Sequence, residues 1–140
     1  EVDIKTGKVK ILNILNAHDS GHILNPLLAS GQVEGGMGMA VAYALVEELR
    51  YDEKTGAPLN NNLLDYKMPT SMDLPDMETL FVEEDDPMGP YGNKALGEPP
   101  ICSPAAAIRN AVLDAIGIEV DELPIKPQKL MEILKNNGIV

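Results

Sequence analysis

"NPLLASGQVEGGMGMAVAYALV", Asn25 to Val46, decides how the rest of the chain is read. Asn25 carries a side-chain acceptor suited to a helix N-cap. Pro26 suits the first helical position, where no backbone donor is needed. The spacing predicts a helix from Leu27 to Val46, with Val33, Met37, Ala40, Val41 and Ala44 on one apolar stripe. Gly31, Gly35, Gly36 and Gly38 interrupt its first half. Each costs about 1 kcal/mol against alanine in a helix interior. Two reasons could justify them: close contact of helix with sheet, or a bulky ligand near the helix N-terminus. Free N–H groups and the dipole there suit an anion.

Upstream, "EVDIKTGKVKILNIL" reads as a hairpin. Val2 and Ile4 alternate with polar residues, "KTGK" makes the turn, and Val9 and Ile11 resume the alternation. "ILNIL" is then apolar on both faces, as in a strand entering the middle of a sheet. A chain that opens inside a hairpin, with neither an initiator Met nor a signal-peptide pattern, predicts a piece of a longer polypeptide.

Downstream, Glu48 to Asp52 reads as a strand with a turn at Thr55-Gly56, and Pro69 and Pro75 forbid long regular structure. "ETLFVEE" reads as a short strand with Leu80 and Val82 on one face. Ser103-Pro104 opens a helix whose apolar face is Ile108, Val112, Ala115 and Ile116, and Gly117 ends it. A last helix runs from Pro127, with Leu130, Ile133 and Leu134 inward and Gly138 as its stop. The expected fold is α+β in two layers, a small mixed sheet with helices packed on one side, as one domain over residues 1–140.

Composition narrows the partners. A net charge of −11 argues against nucleic-acid backbones and anionic membranes. No apolar run approaches the roughly 20 residues needed to span a bilayer. Cys102 is the single cysteine, which rules out an intrachain disulfide and fits a reducing cytoplasm. Together with His18 and His22 it is too little for a structural zinc site, so no protein-ligated metal is expected.

The segment "DDPMGPYGNKALGEPP", Asp85 to Pro100, is a loop of about sixteen residues, a length uncommon without a function. It fixes one carboxylate, Glu98, between Gly97 and Pro99-Pro100. Proline locks φ, removes a donor and pushes the preceding residue towards extended geometry. Local physics alone reads this as a stiff turn with a solvated glutamate.

"NPLLASGQVEGGMGMAVAYALVEEL", "NNNLLDYKMPTSMDLP" and "GPYGNKALGEPPICSPAAAIRNAVLDAIG", in this order and spacing, resemble one known pattern. It is the C-terminal part of the molybdenum-binding subunit of the xanthine dehydrogenase and aldehyde oxidase family. "LPIKPQKLMEIL" is similar to that family's C-terminal helix, so the resemblance covers nearly the whole chain. "GQVEGG" with a distant "GxGEPP" is specific as a pair and weak singly; here the second motif reads Ala95-Leu96-Gly97-Glu98-Pro99-Pro100.

The resemblance implies that Glu98 is the active-site base. It implies that Gln32, with Gly31 before it, lies at the molybdopterin, and that Lys94, Ala95, Leu96 and Gly97 bring loop backbone near the cofactor. The implied reaction hydroxylates a heteroaromatic or aldehyde carbon with oxygen from water. The implied cofactor is molybdenum–molybdopterin, in cytosine dinucleotide form if the source is bacterial. Iron–sulfur clusters and FAD are expected on other domains or subunits, and the remainder of the molybdenum subunit is the expected partner. The family's "D-x-G-x-x-x-N-P" makes Asp19, Gly21 and Asn25 structural.

Other residues read plainly. His22 has no assigned role, "VEEDDP" is a solvated strand end, Cys102 is a small buried side chain, and Met37 and Met39 are helix packing. A competing reading is a stand-alone acidic module that keeps the fold for assembly or binding without catalysis. The substrate, whether purine, aldehyde or nicotinate-like ring, stays open.

Overall fold

The computed structural model describes residues 1–140. β1 (Val2–Asp3) and β2 (Lys8–Val9) form the opening hairpin, antiparallel with Val2 opposite Val9. Its turn uses Gly7 at φ +70°, a left-handed conformation that glycine adopts without strain. The second strand does not run on through "ILNIL". It stops at Val9, and a separate strand, β3 (Asn13–His18), begins four residues later.

β3 pairs in parallel with β4 (Asp76–Phe81), Asn13 opposite Asp76 through His18 opposite Phe81. The chain is α+β, with its strands divided between these two small sheets.

Between β3 and β4 lies α1 (Pro26–Leu45), and the expected cap is present. The Asn25 side chain accepts a hydrogen bond from the Leu28 amide at 3.1 Å. Val33, Met37, Ala40, Val41 and Ala44 are all buried, so the stripe is the core face. Met39 is exposed, on the opposite side from Met37. The inward face of β4 is Met77, Thr79 and Phe81, each half-buried; Leu80 and Val82 point outward. The cause is strand periodicity, because the residues facing α1 set the alternate ones outward.

Glu48 to Asp52 forms no strand. Only one antiparallel bridge, Tyr51 to Pro58, survives there, although the turn forms with Gly56 at φ +70°. The Asp52 amide donates to the Ala57 carbonyl at 2.9 Å and the Leu59 amide to the Arg50 carbonyl at 2.8 Å. The Asp52 carboxylate accepts from the Thr55 amide and hydroxyl, both at 2.8 Å, which closes the turn.

After β4 come a single 3₁₀ turn (Pro90–Gly92), a four-residue turn of helix α2 (Pro99–Cys102), α3 (Pro104–Ile116) and α4 (Pro127–Asn136). Gly117 at φ +71° ends α3, and its amide returns to the Leu113 carbonyl. Ser103 precedes α3 without a capping side-chain bond. Val112, Val120, Ile125, Leu130 and Leu134 make one core under α3 and α4. Val41, Ala44 and Ile108 make a second where α1 crosses α3. No helix is long and apolar enough to cross a membrane.

Candidate active site

Two loops are stitched together at one end of α1. The first follows β3, where an Asp19 carboxylate oxygen accepts the Gly21 amide at 2.9 Å. Gly21 is left-handed at φ +63°, and any Cβ there would overlap the Gly92 carbonyl oxygen. It bridges to Asn93 in the second loop, and the Lys94 amide donates to the Ser20 carbonyl at 2.8 Å. The Lys94 ammonium reaches the other Asp19 oxygen at 2.5 Å.

That bond, helped by the Gly21 amide, holds the Asp19 carboxyl below the ordinary carboxylate range. Asp19 in turn raises Lys94 above the ordinary lysine value. Both groups stay charged near neutral pH, and the Lys94 side chain is committed to the tie between loops. Asp19, Gly21 and Asn25 thus do structural work. His22 faces only Glu83, at 3.6 Å on the exposed rim.

The stitched loop delivers Glu98, and its flanking carbonyls are each held by an amide side chain. Gln32 Nε2 donates to the Gly97 carbonyl at 2.6 Å. Asn16 Nδ2 donates to the Pro100 carbonyl at 3.2 Å, in a buried setting. Glu98 is not extended as the following proline suggests, but sits at φ −91°, ψ −19°. Its carbonyl accepts the Ile101 amide at 3.0 Å, closing a helical turn in which Pro99 takes the first position. The Glu98 side chain itself is exposed and makes no hydrogen bond within the chain. Cys102 is also exposed rather than buried, because the same turn points its sulfur back at the Glu98 carbonyl, 3.8 Å away.

The four helix glycines separate into different cases. At Gly36 a Cβ would lie 2.6 Å from Pro100 Cβ, so the loop rests on bare helix there. Gly38 meets only side chains at ordinary distances, Leu74 at 3.6 Å and Met77 at 3.9 Å. Gly31 and Gly35, and Gly97 in the loop, have no atom of the chain within 4 Å of where a Cβ would stand. None of these three has positive φ, so neither packing within the chain nor backbone strain explains them. Gly31 adjoins Gln32, and Gly97 accepts its hydrogen bond. The bare backbone therefore borders the place where the two motifs meet, and a large group could approach it closely there. Among the residues singled out from sequence, Gln32, Gly97 and Glu98 come together. Ala95 is exposed and Leu96 half-buried beside them.

The open glycines give a clear expectation. In the 140-residue chain, Gly31→Ala and Gly35→Ala should each raise stability by about 0.5–1 kcal/mol, the helix-propensity gain, in urea unfolding. A loss of stability would show that these positions are already packed.

The molybdopterin cofactor-binding domain family matches residues 1–75. The chain is 57% identical over 139 residues to the xanthine dehydrogenase molybdenum-binding subunit of Escherichia coli O157:H7, covering 99% of this chain and 18% of that protein. It is 39% identical over 130 residues to the aldehyde oxidoreductase molybdenum-binding subunit PaoC of Escherichia coli strain K12, covering 92% of this chain and 18% of that one. In three dimensions it matches reconstituted CO dehydrogenase from Oligotropha carboxidovorans with a TM-score of 0.88 at 32% identity, over 99% of this chain and 17% of that one. The chain belongs to the molybdopterin cofactor-binding domain family. It spans under a fifth of the length of the curated relatives named above.

Proposed function

We propose that this chain is the part of a molybdenum hydroxylase subunit that carries the active-site base, Glu98, within one domain formed by residues 1–140. The observation that carries the reading is the Gln32–Gly97 hydrogen bond, which joins "GQVEGG" to "GEPP" across 65 positions beside backbone that nothing in the chain covers. Gln32 and the bare backbone at Gly31 and Gly97 fit a large planar polar group, and they are the residues that would hold the molybdopterin, with Ala95 and Leu96 alongside. When bound, that cofactor supplies the redox chemistry of hydroxylation with water as the oxygen source.

The chain's own contributions are placement and proton transfer. The ties Asn93–Gly21, Lys94–Asp19 and Gln32–Gly97 fix the loop before Glu98. Pro99 and Pro100 restrict the backbone after it. The Glu98 carboxylate is free of partners within the chain, so both of its oxygens are available to take the proton released as water oxygen moves to the substrate carbon. The substrate class is an aldehyde or an electron-poor heteroaromatic ring. Iron–sulfur and FAD partners in a cytoplasmic assembly complete the electron path, and a bacterial source would imply the cytosine dinucleotide form of the cofactor.

The remainder of the subunit is the partner of the uncovered apolar surface. Leu15 and Leu80 on the outer face of β3–β4, and Leu27, Leu28 and Tyr43 on α1, are each more than half exposed. Made alone in a host that synthesises the cofactor, the 140-residue chain should contain far less than one molybdenum per chain by elemental analysis. Stoichiometric molybdenum in that material would contradict the proposal that other segments complete the site.

A further inference from the structure

We propose that Asn16 is a positioning residue for Glu98, a role that rests on the base assignment above. Asn16 sits in the middle of β3 and is only 7% exposed. A buried side-chain amide needs hydrogen-bond partners, since leaving one unsatisfied costs about 1–3 kcal/mol. Its partner is 84 positions away: the Pro100 carbonyl, two residues after Glu98. The strand itself gains nothing that an apolar side chain would not give, because β3 pairs with β4 through its backbone alone.

Three contacts make this bond a fixed point. Pro100 is buried, and it rests on α1 at Gly36, where even a methyl group would collide with it. The Ile101 amide bonds back to the Glu98 carbonyl, so the turn moves as one piece with the glutamate. On the other flank Gln32 holds the Gly97 carbonyl. Glu98 therefore stands between two amide anchors, one on each side, and its side chain has no anchor of its own. In the register of the sheet, Thr79 lies opposite Asn16 and its buried hydroxyl makes no hydrogen bond, so of this pair it is Asn16 that is bonded to the loop. Asn16 touches neither substrate nor cofactor on this reading; it acts through the turn.

The test uses the complete, cofactor-loaded enzyme containing this chain, with turnover normalised to molybdenum. Asn16→Leu keeps the branching and number of side-chain heavy atoms, though not the volume, and removes the donor; Asn16→Asp keeps the shape and size and sets a carboxylate against the Pro100 carbonyl. Both should lower kcat by about 10-fold or more while KM changes little, as expected when a reacting group is displaced by a fraction of an ångström to an ångström. Amide exchange at Ile101, read by hydrogen–deuterium exchange, should speed up by about 10-fold. In a Glu98→Gln background, Asn16→Leu should give no further loss, since it acts only through the glutamate.

Normal kcat per molybdenum, unchanged Ile101 exchange, or losses that multiply in the double variant would each overturn the positioning role while leaving the base assignment standing. Failure of both Asn16 variants to fold or to hold molybdenum would assign Asn16 to the core and overturn it equally. Full turnover in Glu98→Gln alone would instead overturn the base assignment on which the role rests.

Discussion

In the complete enzyme, Glu98→Gln should leave folding and molybdenum content intact and reduce turnover by at least roughly 10²-fold, the usual cost of losing a general base. The amide matches the carboxylate in size. It disturbs no bond within the chain, because the Glu98 side chain makes none. The anchors at Gly97 and Pro100 are backbone carbonyls and stay in place. What is lost is the capacity to accept a proton at the moment of reaction. Steady-state kinetics on a purified variant with measured molybdenum content checks this. Near-normal turnover at full occupancy would make this carboxylate a bystander.

Gly36→Ala should have the second largest effect, by a different route. The new methyl would stand 2.6 Å from Pro100 Cβ and 3.1 Å from its carbonyl carbon. Neither neighbour is the end of a flexible side chain: one belongs to a pyrrolidine ring and the other to backbone. Overpacking of this kind costs about 1–3 kcal/mol, against a helix-propensity gain of only about 1 kcal/mol. The 140-residue chain should therefore lose stability in urea unfolding, whereas Gly31→Ala and Gly35→Ala gain it. In the complete enzyme the same methyl should push the turn that bears Glu98 and lower turnover per molybdenum. A Gly36→Ala variant as stable as the parent would show that the loop does not rest on the helix.

How much of this was legible in the sequence depended on whether a residue's reason was local. The cap at Asn25, the apolar stripe of α1, and the left-handed stops at Gly117 and Gly138 follow from spacing and φ alone, and all are present. The α+β class and the opening hairpin were legible too. The strand expected at Glu48–Asp52 shrank to a single bridge with Pro58, because alternation cannot report how far a pairing extends. Leu80 and Val82 do share one face of β4, but spacing alone left open which face is inward; α1 lies over Met77, Thr79 and Phe81, so the face of Leu80 and Val82 is the outer one.

At the candidate site, the motifs named Gln32, Gly97 and Glu98, which the fold brings together, but the four helix glycines looked alike. Only the fold separates Gly36, which the loop needs, from Gly31 and Gly35, which nothing in the chain needs. Glu98 took a helical backbone against the preference set by Pro99, since the bond from the Ile101 amide closes the turn. Asn16 was illegible. In a strand, a polar residue between apolar ones signals a solvent face, and its partner lies 84 positions away.

A crystal structure of the complete, cofactor-loaded subunit containing this chain is the most direct test of the central claim. The expected result has the molybdopterin against Gln32 and the bare backbone of Gly31 and Gly97, with the Glu98 carboxylate facing the substrate side of the molybdenum. A cofactor seated elsewhere, with Glu98 turned to solvent and those glycines covered only by protein, would contradict it.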